Sequence, residues 1–178
     1  AQGEKVYEIP IGGSSDVGML GYYECAMELT EQARQMGLED ATVISAVGSI
    51  GTYMGLYCGL KNENSPLDLI GVAISPFLEA KDKRIVEYFN AVKEKYGMTI
   101  DAKREDFHIE KDYTFGAYNN PVKEVRDTVC YMASREAIIL DPCYTGKAFN
   151  GIRKMVEEGK IKKGSKVIFL HTGGLPGI

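Results

Sequence analysis

The feature that most limits the fold of this chain is an alternation of two hydrophobic patterns. Short continuous apolar runs rich in Val and Ile lie at Thr42–Val47, 67–74, 137–140 and 166–171. Runs of that kind, about four to eight residues long, mark strands buried on both faces of a parallel sheet. Between them, apolar residues recur every three or four positions, as on the buried stripe of a helix. Tyr22, Ala26, Leu29, Ala33 and Met36 predict a helix over 18–36 with Gly37 as its C-terminal cap. Ile85, Phe89, Val92 and Tyr96 predict a second before Gly97, with the charge run 79–84 as its solvated start. Val122, Val125, Val129 and Met132 predict a third, with Asn120 as N-cap and Pro121 at the first helical position. Ala148, Ile152 and Met155 predict a fourth, closed by Gly159. Strand, helix, strand in that order gives an α/β fold of three layers, a mainly parallel sheet with helices on both faces. Residues 1–178 read as a single α/β domain.

Composition narrows the function classes. With 178 residues, 44% of them hydrophobic and 26% charged, the chain can bury a real core. The net charge of −4 offers no basic footprint for nucleic acid or an anionic membrane. No apolar run approaches the roughly 20 residues that span a bilayer. Cys25, Cys58, Cys130 and Cys143 form no Cys-x-x-Cys pair and read as small buried hydrophobes in a reducing, cytoplasmic compartment. With only His108 and His171, a histidine-rich metal site is not expected. The opening lacks a Met and a secretory pattern, and the ending runs from an apolar strand into Gly173 and Gly174. Both ends read as cut points in a longer chain.

In an open parallel sheet, ligands bind outside the carboxyl ends of the strands. After the first strand come Gly48, Ser49, Ile50, Gly51 and Thr52, opening an apolar helix over 53–60. Glycines let the backbone approach a ligand, the hydroxyls donate, and the helix N-terminus adds free N–H groups and the positive end of its dipole. The loop is neither a Walker A nor a Gly-x-Gly-x-x-Gly turn, so it suggests a phosphate without naming its carrier; a tight turn that binds nothing is the alternative. After 137–140 come Asp141, Pro142, Cys143, Tyr144, Thr145, Gly146 and Lys147, where Tyr144 and Thr145 can reach a ligand and Lys147 reads as structural. After the last strand come His171, Thr172, Gly173 and Gly174, with His171 read as a satisfied structural histidine. Hydroxyls and glycines with almost no charge suit an aromatic, phosphate-bearing ligand better than a metal ion.

These blocks also resemble a known family. Ile9-Pro10-Ile11-Gly12-Gly13-Ser14-Ser15 with Gly18, Gly21, Tyr22 and Glu24, the 48–52 loop, the Asp141-Pro142-x-Tyr144-Thr145-Gly146-Lys147-Ala148 block and His171-Thr172-Gly173-Gly174-Leu175-Pro176 are similar, in order and spacing, to the D-cysteine desulfhydrase and 1-aminocyclopropane-1-carboxylate deaminase family. These are fold-type II enzymes that use pyridoxal 5′-phosphate (PLP), and the likeness runs the whole length of the chain. The resemblance implies that Gly48, Ser49, Ile50, Gly51 and Thr52 hold the PLP phosphate and that Thr145 meets the pyridine nitrogen. Deaminases of the family carry a glutamate there, so a neutral hydroxyl points to the desulfhydrase branch. Tyr118 and Tyr144 take catalytic roles, Tyr118 in proton transfer, although the family's Gly-Tyr-Gly is Ala117-Tyr118-Asn119 here. Thr172 and Gly173 face the substrate carboxylate.

The lysine that bonds covalently to PLP lies far upstream in this family, so the chain reads as the C-terminal half of such an enzyme, inactive alone. The expectation for the whole protein is a PLP-dependent lyase on a small amino acid, releasing pyruvate, sulfide and ammonia from D-cysteine, and a homodimer. The alternatives are deamination of 1-aminocyclopropane-1-carboxylate, a non-catalytic module that binds a phosphate-bearing ligand, and a nucleotide-binding module.

Overall fold

The computed structural model of the chain describes residues 3, 5–120 and 122–174. Four parallel strands form one sheet in the order β3-β2-β1-β4: β1 (Thr42–Val47), β2 (Asp68–Ala73), β3 (Ile109–Glu110) and β4 (Val167–Phe169). The helices among the described residues are α1 (Leu20–Gln35), α2 (Gly51–Asn62), α3 (Glu79–Tyr96), α4 (Lys123–Glu136) and α5 (Thr145–Glu157). The central strand β1 pairs with β2 from Thr42↔Asp68 to Val47↔Ala73 and with β4 from Thr42↔Val167 to Ile44↔Phe169.

Alternation along β1 divides the core between the two faces. Val43 packs with Ala26, Ala33, Leu56 and Leu60 from α1 and α2, and Val47 with Met54, Phe89 and Phe107. Ile44 and Ala46 point the other way, onto Ala148, Ile152 and Met155 of α5. Helices therefore cover both faces of the sheet, as the apolar runs predict. On the first face Tyr57, Phe89 and Phe107 form an aromatic cluster, with the Tyr57 and Phe107 rings 4.5 Å apart. Helix α3 carries Glu79 and Asp82 in its first turn and Lys93 and Lys95 in its last, complementing its dipole.

Four expectations need correction. Residues 137–140 form no strand: Ala137 closes α4 in the left-handed conformation (φ 54), and Ile138 and Ile139 are exposed. The run is apolar, but it pairs with none of the described strands, and the Ile139 carbonyl bonds the His171 side chain just beyond β4. Helix α4 begins at Lys123, with Val122 as its uncapped N-cap. Asn120 instead turns its amide back to the carbonyl of Phe115 (2.7 Å), and Pro121 lies outside the described residues. Of the cysteines only Cys58 is buried; all four are free thiols. The run 79–84 is not wholly solvated in role, because Asp82 accepts from Arg104 (2.8 Å) and Lys111 (2.7 Å), tying α3 to the chain on both sides of β3.

The tightest seam lies between α1 and α2. A Cβ on Gly59 would sit 2.7 Å from the Ala26 methyl and from the Tyr23 carbonyl oxygen, and one on Gly55 would sit 2.3 Å from the Met19 carbonyl oxygen. Overpacking of this kind costs about 1–3 kcal/mol, against a helix-propensity gain of about 1 kcal/mol for replacing a mid-helix glycine. G59A in the complete protein is expected to lose about 1 kcal/mol or more in urea unfolding; an unchanged midpoint would mean that α1 yields without cost.

Candidate functional site

Helix α2 is buried along nearly its whole length, from Gly51 and then Tyr53 to Leu60. Its first N–H groups therefore have little access to water and need partners. The first intrahelical bond runs from Met54 N–H to the Ile50 carbonyl (2.8 Å), which leaves the N–H groups of Gly51, Thr52 and Tyr53 to other acceptors. Ser14 Oγ takes that of Gly51 (3.0 Å). Thr52 and Tyr53 line a cavity of about 340 Å³ at the carboxyl end of β1. Ile50, the residue before the helix, has φ 82 while 2% exposed. A β-branched residue rarely adopts that conformation, and strain of this sort gathers where a backbone turn is dictated by a site.

The opposite wall comes from the start of α5. Asp141, 2% exposed, caps that helix: Oδ1 accepts from the N–H groups of Cys143 (2.8 Å) and Tyr144 (2.7 Å), Oδ2 from the N–H (2.8 Å) and hydroxyl (2.7 Å) of Thr145. Burial raises the Asp141 pKa, but these hydrogen bonds outweigh it and hold the carboxyl below the usual range. Thr145 Oγ1 also accepts from Asp141 N–H (2.9 Å), so its one hydrogen and one of its lone pairs are committed. Tyr144 and Tyr118 join their hydroxyls at 2.5 Å with rings edge to face. That bond, with some desolvation, raises the Tyr118 pKa, so its proton stays in place at neutral pH.

Lys147 stands behind this wall. Its side chain is fully buried, and its ammonium lies within hydrogen-bond distance of the carbonyls of Ile74 (2.8 Å), Thr114 (3.0 Å), Ala117 (2.5 Å) and Tyr118 (3.1 Å), four acceptors that share three hydrogens. It thereby fixes the loop carrying Tyr118 to the end of β2, in the structural role its sequence context suggests. The Cys143 thiol adds a bond to the Tyr118 carbonyl (3.0 Å). His171 is committed as well, its Nδ1 accepting from Gly173 N–H (3.3 Å) and its Nε2 bonded to the Ile139 carbonyl (2.8 Å).

Of the residues singled out from sequence, Gly48, Ser49, Ile50, Thr52, Tyr144, Thr172 and Gly173 line the cavity together. Gly51 lies beneath it against Ser14, Thr145 is turned into the Asp141 cap, and Tyr118 reaches it through Tyr144. Gly12, Tyr22 and Asp141 also line it, without having been assigned a role from sequence. Asp-Pro just ahead of a helical pattern is an Asx-turn signal that could have singled out Asp141. Among the described residues no group of His, Cys, Asp and Glu could hold a metal ion, and no helix is long and apolar enough to cross a membrane.

Residues 1–173 match the family model for pyridoxal-phosphate dependent enzymes. A Pyrococcus abyssi protein named "Putative 1-aminocyclopropane-1-carboxylate deaminase" is 40% identical over 99% of this chain and 52% of its own length. The D-cysteine desulfhydrase of Salmonella paratyphi C is 36% identical over 100% of this chain and 53% of its own length. The chain thus spans about half the length of the curated relatives it matches. A solved structure described as an ACC deaminase homologue superposes with a TM-score of 0.87 at 35% identity, over 99% of this chain and 51% of that one. An L-serine ammonia-lyase from Rhizomucor miehei shares the fold at a TM-score of 0.58 and 15% identity, over 90% of this chain and 53% of that one.

Because the Asp141 pKa is lowered in the folded state, its stabilising contribution is present above the unfolded carboxyl pKa and fades as pH falls through the folded value. D141N is expected to cost about 2 kcal/mol at pH 7, within the range for losing a cap and its charged hydrogen bonds. The gap from the parent should narrow in acid when urea unfolding is followed against pH. A constant gap down to pH 2 would place the effect elsewhere.

Proposed function

The chain belongs to the pyridoxal-phosphate dependent enzyme family, and on that premise we propose that it forms the phosphate-binding side of a lyase that acts on a small amino acid. The substrate we propose is D-cysteine, by α,β-elimination. The observation that carries this reading is the meeting of the α2 N-terminus with the Tyr144–Tyr118 pair around one cavity of about 340 Å³.

The donor set suits a phosphomonoester. Helix N–H groups at Thr52 and Tyr53 and the hydroxyls of Ser49 and Thr52 are all donors for an anion. The carboxylate that borders the cavity, Asp141, is occupied by hydrogen bonds from its own helix turn. The volume falls in the range of small-ligand sites. We assign the phosphate to Ser49, Ile50, Thr52 and the glycines Gly48 and Gly51, and the substrate carboxylate to Thr172 and Gly173.

When bound, PLP supplies an electron sink for the pair left behind as an α-proton departs. The protein's part is to position and to move protons. Tyr118, holding its proton, serves with Tyr144 as the donor and relay beside the reacting carbons, in a place Lys147 secures from behind. Over the whole reaction the C–S bond breaks with its electron pair passing to sulfur. One water is consumed, and pyruvate, hydrogen sulfide and ammonia are released. Thr145 is neutral, and with its hydrogen given to Asp141 it could meet a ring nitrogen only as an acceptor. An accepting oxygen requires the ring nitrogen to carry the proton, so this contact by itself does not separate elimination from deamination. We take the lysine that holds PLP covalently to lie outside these residues, since none lines the described cavity and Lys147 is buried among carbonyls. The same reading makes the complete protein a homodimer in the cytoplasm.

The 40% identity to the Pyrococcus abyssi protein favours a second reading, deamination of 1-aminocyclopropane-1-carboxylate. One experiment separates the two. The complete protein is expected to release sulfide and pyruvate from D-cysteine, and ketobutyrate release from the cyclopropane substrate without sulfide from D-cysteine would reverse the assignment. Y118F should lower kcat by about a hundredfold with little change in KM, the loss typical of a missing general acid. Full activity in Y118F would remove Tyr118 from proton transfer.

A further inference from the structure

Ser14 lies 35 residues from Ser49 in sequence and belongs to a strap, residues 12–16, that crosses the mouth of the α2 N-terminus. Its hydroxyl makes two bonds of opposite sense. It accepts from Gly51 N–H (3.0 Å) and donates to Ser49 Oγ (2.6 Å). A hydroxyl has one hydrogen, so with Ser14 giving its own to Ser49, the hydrogen of Ser49 is left for another acceptor. Ser49 lines the cavity. We propose that Ser14 and Ser49 form a directional hydroxyl relay that carries the donor strength of the α2 N-terminus outward to the ligand's phosphate. Ser14 is then a positioning residue for the phosphate, acting through Ser49. This rests on the reading of the 48–52 loop as a phosphate cradle.

Three features of the chain fit this arrangement. The relay starts at a helix N–H, the positive end of the α2 dipole, and each bond in a chain of hydrogen bonds polarises the next. The room for the two hydroxyls depends on missing side chains. A Cβ on Gly12 would lie 2.5 Å from Ser49 Oγ, and one on Gly51 would lie 2.6 Å from Ser14 Oγ. The strap is also held from behind, which fixes where Ser14 sits. Tyr88 of α3 donates to the Ser15 carbonyl (2.6 Å), Lys95 pairs with Asp16, and Ser15 Oγ accepts from Gly18 N–H (3.0 Å). Ser14 itself is 8% exposed, so water competes little for its hydroxyl.

The test uses the complete protein freed of cofactor and titrated separately with PLP and with pyridoxal, which lacks the phosphate. S14A should weaken PLP binding about tenfold, the size of a lost hydrogen bond to a charged group, and leave pyridoxal binding unchanged. S49A should weaken PLP at least as much, and S14A/S49A no further than S49A alone, since Ser14 acts through Ser49. S14C keeps the side-chain shape with a somewhat larger sulfur and replaces the strong donor with a weak one. It should repeat the S14A loss, and it stands in if S14A does not fold. PLP affinity unchanged in S14A, equal losses for both ligands, or losses that add in the double variant would each overturn the relay. If S49A leaves PLP affinity unchanged, the phosphate cradle itself is wrong.

Discussion

The arrangement of this molecule turns on one constraint, a helix whose N-terminus is buried. Helix α2 sits between α1 and the sheet and is apolar on nearly every side, so its first N–H groups cannot be left to water. The chain meets that requirement from a distance. Ser14 supplies one acceptor, Ile50 adopts a left-handed turn to bring the strand end over the helix, and Gly12 and Gly51 leave space for the hydroxyls between them. What remains unpaired by the helix itself, at Thr52 and Tyr53, borders the cavity. On the proposed reading, this structural need for acceptors doubles as a binding surface for an anion.

Two buried charges set the other side of the cavity, and neither makes an ion pair among the described residues. Asp141 gives its carboxylate to N–H groups and a hydroxyl at the start of α5, where the helix dipole also favours a negative charge. Lys147, two residues further along than Thr145, sets its ammonium among four backbone carbonyls. Each charge anchors loop backbone, Asp141 the turn carrying Tyr144 and Lys147 the loop carrying Tyr118. The hydroxyl pair they position reaches the cavity without either charge entering the chemistry.

Much of the fold was legible in the sequence, and the failures have local causes. Val43, Ile44, Ala46 and Val47 mark β1 because a strand buried on both faces is apolar on consecutive positions, here broken only by the small buried Ser45, and the Ile85, Phe89 and Val92 spacing marks α3. Ile138 and Ile139 carry the same apolar signal but lie exposed outside the sheet, because strand character needs a neighbour to pair with and composition does not supply one. The two-residue strand β3 is too short to leave a pattern. In the site, the 48–52 loop was readable from glycines and hydroxyls ahead of an apolar helix. Ser14 was not assigned a role, because its partners lie 35 and 37 positions away and no local pattern predicts such contacts. Thr145 was placed by its neighbours in sequence, yet its hydroxyl hydrogen goes to Asp141, a choice that only the folded helix cap makes visible.

The central claim is that the α2 N-terminus and Ser49 hold the phosphate of PLP. A crystal structure of the complete protein grown with PLP tests it most directly. The phosphate is expected within hydrogen-bond distance of Ser49 Oγ and of the Thr52 N–H or hydroxyl, with Ser14 still bridging Gly51 and Ser49. A phosphate bound elsewhere, with the 48–52 loop in contact with no part of the cofactor, would contradict the account.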